Sequence, residues 1–175
     1  MKKSLKNIIA TILVSIAIIS CSTSKIITKK SELGINRTEL HFKNNSIEVD
    51  NVLLPYVEEF VEEAIKYNIN VDSISKNFLG IYVEYTPKGT LGVTYKQQPE
   101  GLDFCLIAPI IAANKKKARL IVFHELAHAY MSRTHCHKFC REIMSANISV
   151  HTIYNDWNNQ KKIFFKEIKH NAIQW

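Results

Sequence analysis

The chain has 175 residues, 46% of them hydrophobic and 22% charged, with a formal charge of +7. That length and balance suit one domain with its own core and exclude wholesale disorder. Without the three lysines of the first 20 residues the excess is +4, which calls for no nucleic-acid partner and suits a protein close to an anionic membrane surface.

Met1–Lys6 is short and basic, and Ile8–Ile19 is an apolar run of 12 residues, too short to span a bilayer comfortably. Residues 1–20 therefore read as a signal peptide. Its end, Ile18-Ile19-Ser20-Cys21, resembles the bacterial lipobox, in which the chain is cut before the cysteine and the thiol carries lipid. The resemblance implies lipidation of Cys21 and anchoring to a bacterial membrane, on the periplasmic side or the cell surface. Residues 21–34, rich in Ser, Thr and Lys, are expected to be the lipidated tether. Three cysteines follow, Cys105, Cys136 and Cys140, enough for one disulfide with a thiol left over; the spacing leaves the pairing open.

The remaining residues, 35–175, read as a single domain. Partial alternation predicts a strand at 35–42. Residues 52–68 predict an amphipathic helix, with Tyr56, Phe60, Ala64 and Tyr67 at helical spacing and Pro55 in the first turn. Phe78–Tyr85 and Leu91–Tyr95 are β-rich, with Pro87-Lys88-Gly89 as the turn between them, and Asp103–Ala108 is a third apolar run. A long helix is predicted over Asn114–Arg133, capped by Asn114 and apolar almost all round from Ala118 to Tyr130. A last helix is predicted over Tyr154–Lys169, carrying Trp157, Phe164, Phe165 and Ile168. The expected class is α+β: a small, mostly antiparallel sheet packed on a long helix, with a C-terminal helix.

The long helix contains His124-Glu125-Leu126-Ala127-His128. Residues four apart stand on one helical face, so two imidazoles can converge on one metal. A glutamate beside the first ligand can serve as general base to a zinc-activated water that attacks a carbonyl. The five-residue pattern alone is weak, but its setting is Ile121-Val122-Phe123 before and Ala129-Tyr130-Met131 after. Two histidines and an acid inside so apolar a helix conflict with their burial, and a metal resolves the conflict.

Catalytic zinc takes three protein ligands and keeps one position open. His135 is the expected third ligand on reach and on zinc's preference for imidazole, with His137 and Glu142 as alternatives. The run HELAHAYMSRTH, followed by EIMSAN on a small lipobox-bearing chain, resembles the predicted zinc metallopeptidase lipoproteins of bacteria, which are metzincin-like. The resemblance covers about residues 50–170. It implies a zincin-like fold, zinc, a Met-turn at Met144 and proteolysis. Two departures from the pattern stand out: Ala127 replaces the usual glycine, and no glycine lies between His128 and His135.

The expected function is thus a zinc-dependent metallopeptidase tethered to the envelope, with Glu125 as general base and His124, His128 and His135 on the metal. A monomer acting on protein or peptide is expected. The alternative is a zinc-containing surface lipoprotein that binds without catalysis; an intact Glu125 favours the enzyme, since a purely structural site has no use for it.

Overall fold

The computed structural model describes residues 25–30, 32–43, 45–73, 78–96, 103–131, 134–136, 142–146 and 155–171. The signal segment, Cys21, His137 and Cys140 lie outside the described residues. A mixed sheet of six strands carries helices on one face. In chain order the elements are β1 (Lys25–Lys30), β2 (Asn36–His41), β3 (Ser46–Asp50), α1 (Leu54–Lys66), β4 (Phe78–Val83), β5 (Gly92–Tyr95), β6 (Asp103–Ile107), a one-turn α2 (Pro109–Ala112), α3 (Lys115–Met131) and α4 (Trp157–Asn171). No helix among the described residues is long and apolar enough to cross a membrane.

The sheet order is β1-β2-β3-β4-β6-β5. The pairs β1/β2, β2/β3 and β5/β6 are antiparallel, whereas β3/β4 and β4/β6 are parallel. The centre of the sheet is therefore parallel, because α1 carries the chain from β3 back to start β4 in the same direction.

One expectation is corrected here. Residues 25–30, assigned to the tether, form β1 on the edge of the sheet, with Lys25 opposite Glu39 and Ile27 opposite Arg37. A Ser/Thr/Lys-rich composition suggested a linker, but main-chain pairing to β2 accepts such residues. The strands β4 and β5, joined by the expected turn, are not neighbours: β6 lies between them, and Glu84 N donates to Ile107 O at 3.1 Å. The turn at Pro87–Thr90 does form, with Thr90 N on Pro87 O at 3.0 Å. Turn chemistry reverses a chain without dictating how far apart the two strands lie.

The helices form as their patterns require. Pro55 sits in the first turn of α1, which buries Val57, Phe60 and Ala64. Asn68 adopts the left-handed conformation (φ 57°) just beyond it, and Ile69 N returns to Ala64 O at 3.0 Å, which closes the helix. Asn114 caps α3, its Oδ1 accepting Lys117 N at 3.1 Å. Helix α3 is buried from Leu120 to Ala127 because it has neighbours on both sides. It packs on β5 and β6 through one face and on α1 through another. Phe123 on that second face meets Phe60 at 5.3 Å and Trp157 at 5.0 Å between ring centres, and Phe165 meets Phe60 at 5.4 Å. This aromatic layer ties α1, α3 and α4 together.

Beside it lies a charged knot. Glu59 accepts hydrogen bonds from Arg119, from Lys161 Nζ at 2.9 Å and from Trp157 Nε1 at 3.4 Å, and Lys161 also reaches Glu63 at 3.1 Å. Burial pushes the Glu59 carboxyl up, but the bonds and charges of Arg119 and Lys161 outweigh it and hold the group below the ordinary carboxylate value. A folded-state value below the unfolded one stabilises the fold above the unfolded pKa, and that contribution disappears as pH falls through the folded value. We expect Glu59→Gln to cost about 2 kcal/mol at neutral pH, the scale of charge-assisted hydrogen bonds. Its deficit should shrink as urea melts are repeated at lower pH, below about 4.5; a deficit independent of pH would contradict this account.

Candidate metal centre

Helix α3 sets His124 and His128 one turn apart on the same face, and His135 comes back towards them four residues beyond the helix end. The three Nε2 atoms form a nearly equilateral triangle: His124 to His135 3.0 Å, His124 to His128 3.1 Å and His128 to His135 3.2 Å. His124 is buried, His128 half-buried and His135 exposed, so the group runs from the core to the surface.

The donor chemistry fits a cation. His124 directs Nδ1–H to the carbonyl of Ile143 at 2.7 Å. In the neutral ring that bond places the proton on Nδ1 and leaves a lone pair on Nε2. Burial, with the neighbouring His128 and His135, holds the His124 pKa down at about 4, against the raising effect of the Ile143 bond. Three imidazole nitrogens this close together would suit one metal ion bound by all three. Among the described residues no further His, Cys, Asp or Glu joins the group.

Glu142, an alternative third ligand by sequence, is described and stands outside the triad. His137, the other alternative, lies outside the described residues. The segment 142–146 instead contacts the histidine region through its main chain. The Ile143 carbonyl orients His124, and the next carbonyl, of Met144, accepts Cys136 N at 3.0 Å, which fixes the residue beside His135. Cys136 also forms a bridge to Ser145 and takes part in a disulfide whose partner lies outside the described residues. Met144 is fully buried. Two successive carbonyls thus hold the first histidine and the residue that follows the third.

The Glu125 side chain lies against β5. It is 4% exposed. Thr94 Oγ1 donates to its Oε2 at 2.7 Å, and the same hydroxyl lies 3.1 Å from its main-chain oxygen. Burial pushes the carboxyl up to about 7, against the lowering effect of the Thr94 bond. A group balanced near neutrality is well suited to taking up and giving back a proton.

Comparison with known proteins returned no match: no family model, curated protein or solved structure is similar to this chain. The site is therefore read from its own geometry.

Cys105 is the thiol that the cysteine pattern leaves over. It is a free thiol, buried under α3 with Sγ 3.3 Å from Thr94 Oγ1 and 3.6 Å from Glu125 O. Burial pushes it far above the usual thiol range, so it is unreactive and stands apart from any disulfide. Sequence reasoning also missed Thr94 and Gly92. A bare Thr and Gly two apart in a strand carry no signal that links them to a helix 31 residues on.

We expect His124→Ala, His128→Ala and His135→Ala each to weaken metal retention by more than about 100-fold, above the range seen for losing a supporting group. Glu142→Ala should retain it. Equilibrium dialysis against zinc measures this, and full retention in His135→Ala would remove His135 from the site.

Proposed function

We propose that this protein is a zinc-dependent metallopeptidase of the HExxH class, with a zincin-like fold. One observation carries the reading: three imidazole nitrogens converge within 3.2 Å of one another, and the residue next to the first of them is a buried carboxyl held by its own hydrogen bond. His124, His128 and His135 are the zinc ligands, and three ligands leave a position for reactants. When bound, zinc acidifies water and polarises a carbonyl oxygen.

Glu125 takes the proton of the attacking water as the water oxygen bonds to the peptide carbonyl carbon. It then returns that proton to the amine nitrogen as the C–N bond breaks, so acid and amine leave with the atoms balanced. The Ile143 carbonyl keeps His124 in the tautomer that offers Nε2.

The place for substrate is the edge of the sheet. β5 pairs only with β6 among the described residues. Ala108 N bonds Leu91 O at 3.0 Å, so in the alternating antiparallel ladder Val93 and Tyr95 face β6 and Gly92 and Thr94 turn their main-chain N–H and C=O outward. An extended peptide adding to that edge is held by main-chain bonds, independent of its sequence.

The lipobox-like end at Cys21 supports attachment to the envelope. Cys21→Ser should abolish lipid labelling and membrane fractionation, and a variant that still incorporates palmitate would refute the anchor.

Catalysis is tested with Glu125→Gln. The variant should keep its zinc and lose about 10²–10⁴-fold in cleavage of an unfolded protein, the contribution of a positioned proton-transfer group. Equal turnover in Glu125→Gln and wild type would refute the peptidase reading. A wild-type chain that holds zinc and cleaves nothing would favour a binding lipoprotein with a non-catalytic metal.

A further inference from the structure

The geometry points to Thr94 as the positioning residue for Glu125, with Gly92 supplying the space in which the carboxylate lies. The inference rests on the peptidase reading for what Glu125 does, and on contacts within the chain for how it is held.

Thr94 and Gly92 stand two apart on β5, so both face α3 from the same side of the strand. The Thr94 hydroxyl has one proton and two oxygen acceptors within reach, both on Glu125; the Cys105 thiol, also in reach, can donate to it or accept from it. The carboxylate oxygen Oε2 is nearer, at 2.7 Å, than the main-chain oxygen at 3.1 Å, and a bond to an ionised acceptor is the stronger. Cys105 Sγ at 3.3 Å packs against the same hydroxyl. A β-branched side chain on a strand has little rotational freedom, so the donor is set in place before Glu125 meets it.

Gly92 acts on the other carboxylate oxygen. A Cβ at this position would lie 2.7 Å from Glu125 Oε1, 2.9 Å from Glu125 Cγ and 2.6 Å from Ile121 Cγ2. All three are closer than real Cβ contacts allow, so a side chain at 92 must displace the glutamate. A glutamate has three side-chain torsions, and a base a fraction of an ångström out of line loses rate. Here Oε2 is held by a hydrogen bond and Oε1 lies against a bare main chain, which together fix the plane and direction of the carboxylate. The same two residues present their main-chain groups to the open edge, so the strand that would receive substrate also aligns the base.

If Thr94 only satisfied a buried acid, its loss would lower stability without separating kcat from KM. The purified full chain and its Thr94→Val, Thr94→Ser and Gly92→Ala variants distinguish the two roles. Bound zinc, kcat and KM on an unfolded protein, and affinity for acetohydroxamic acid by calorimetry are measured for each. The last probe chelates a metal and gives its proton to a neighbouring carboxylate, so it reads the alignment without turnover. Thr94→Val should keep zinc and KM while kcat falls by about tenfold to a hundredfold, the scale of one hydrogen bond to a charged group. Thr94→Ser should recover most of that loss, and Gly92→Ala should fall despite its intact hydroxyl. Acetohydroxamic acid affinity should follow the same order. Thr94→Val with wild-type kcat and wild-type affinity, or Thr94→Ser as impaired as Thr94→Val, would overturn the assignment. A wild type without turnover would sink the peptidase reading alone, and the order of acetohydroxamic acid affinities would still decide for or against Thr94. A wild type that binds no zinc would overturn both.

Discussion

Helix α3 is enclosed on both sides, and that enclosure governs what its polar residues can do. The β5 and β6 strands cover one face, and the aromatic layer of Phe60, Trp157, Phe164 and Phe165 covers the face that carries Phe123. No polar atom in such a place can rely on water, so each needs a fixed partner inside the protein. His124 finds the Ile143 carbonyl and Glu125 finds the Thr94 hydroxyl. The partners required by burial are also the groups that orient the site. Rigidity and chemistry have the same origin here.

The helix also separates its polar residues by direction. Leu126 and Ala127 stay in the core, His124 and His128 turn towards His135, and Glu125 turns towards the sheet edge. The acid and the first imidazole are therefore held by different parts of the chain: Glu125 by β5, His124 by the 142–146 segment. Each can be altered with little direct effect on the other. Beyond the site, the Glu59 knot joins α1 to α3 and α4 through charge where the aromatic layer joins them through area.

Much of this was legible in the chain itself. The helices were, since Pro55, Asn114 and the apolar spacing all act locally and the structure follows them to within a few residues. The His124–Glu125–His128 trio was legible because three polar residues inside an apolar helix contradict their surroundings. His135 was within reach of a spacing argument, although two alternatives stood beside it. What was hidden is what depends on pairing across the chain. Ser46–Asp50 was not picked out as a strand, and Lys25–Lys30 looked like a tether, because five or six mixed residues alternate too briefly to be distinguished from a loop. The partners of the site were hidden more deeply. The Ile143 contribution is a carbonyl, which every residue has, and Gly92 matters only through the side chain it lacks.

The place of β6 between β4 and β5 has a consequence for how the molecule is made. In the finished sheet the two earlier strands stand a full strand's width apart, with the later one filling the gap. A chain that closed 78–95 into a simple hairpin would be trapped, since that pairing uses the edge β6 requires. Such insertion raises the sequence separation of the contacts and slows folding relative to a plain meander. β5 pairs with β6 alone among the described residues, and Glu125 gains its partner on β5 only once that strand is in place. In the folding chain, then, the histidines on α3 can come together before the acid beside them is aligned.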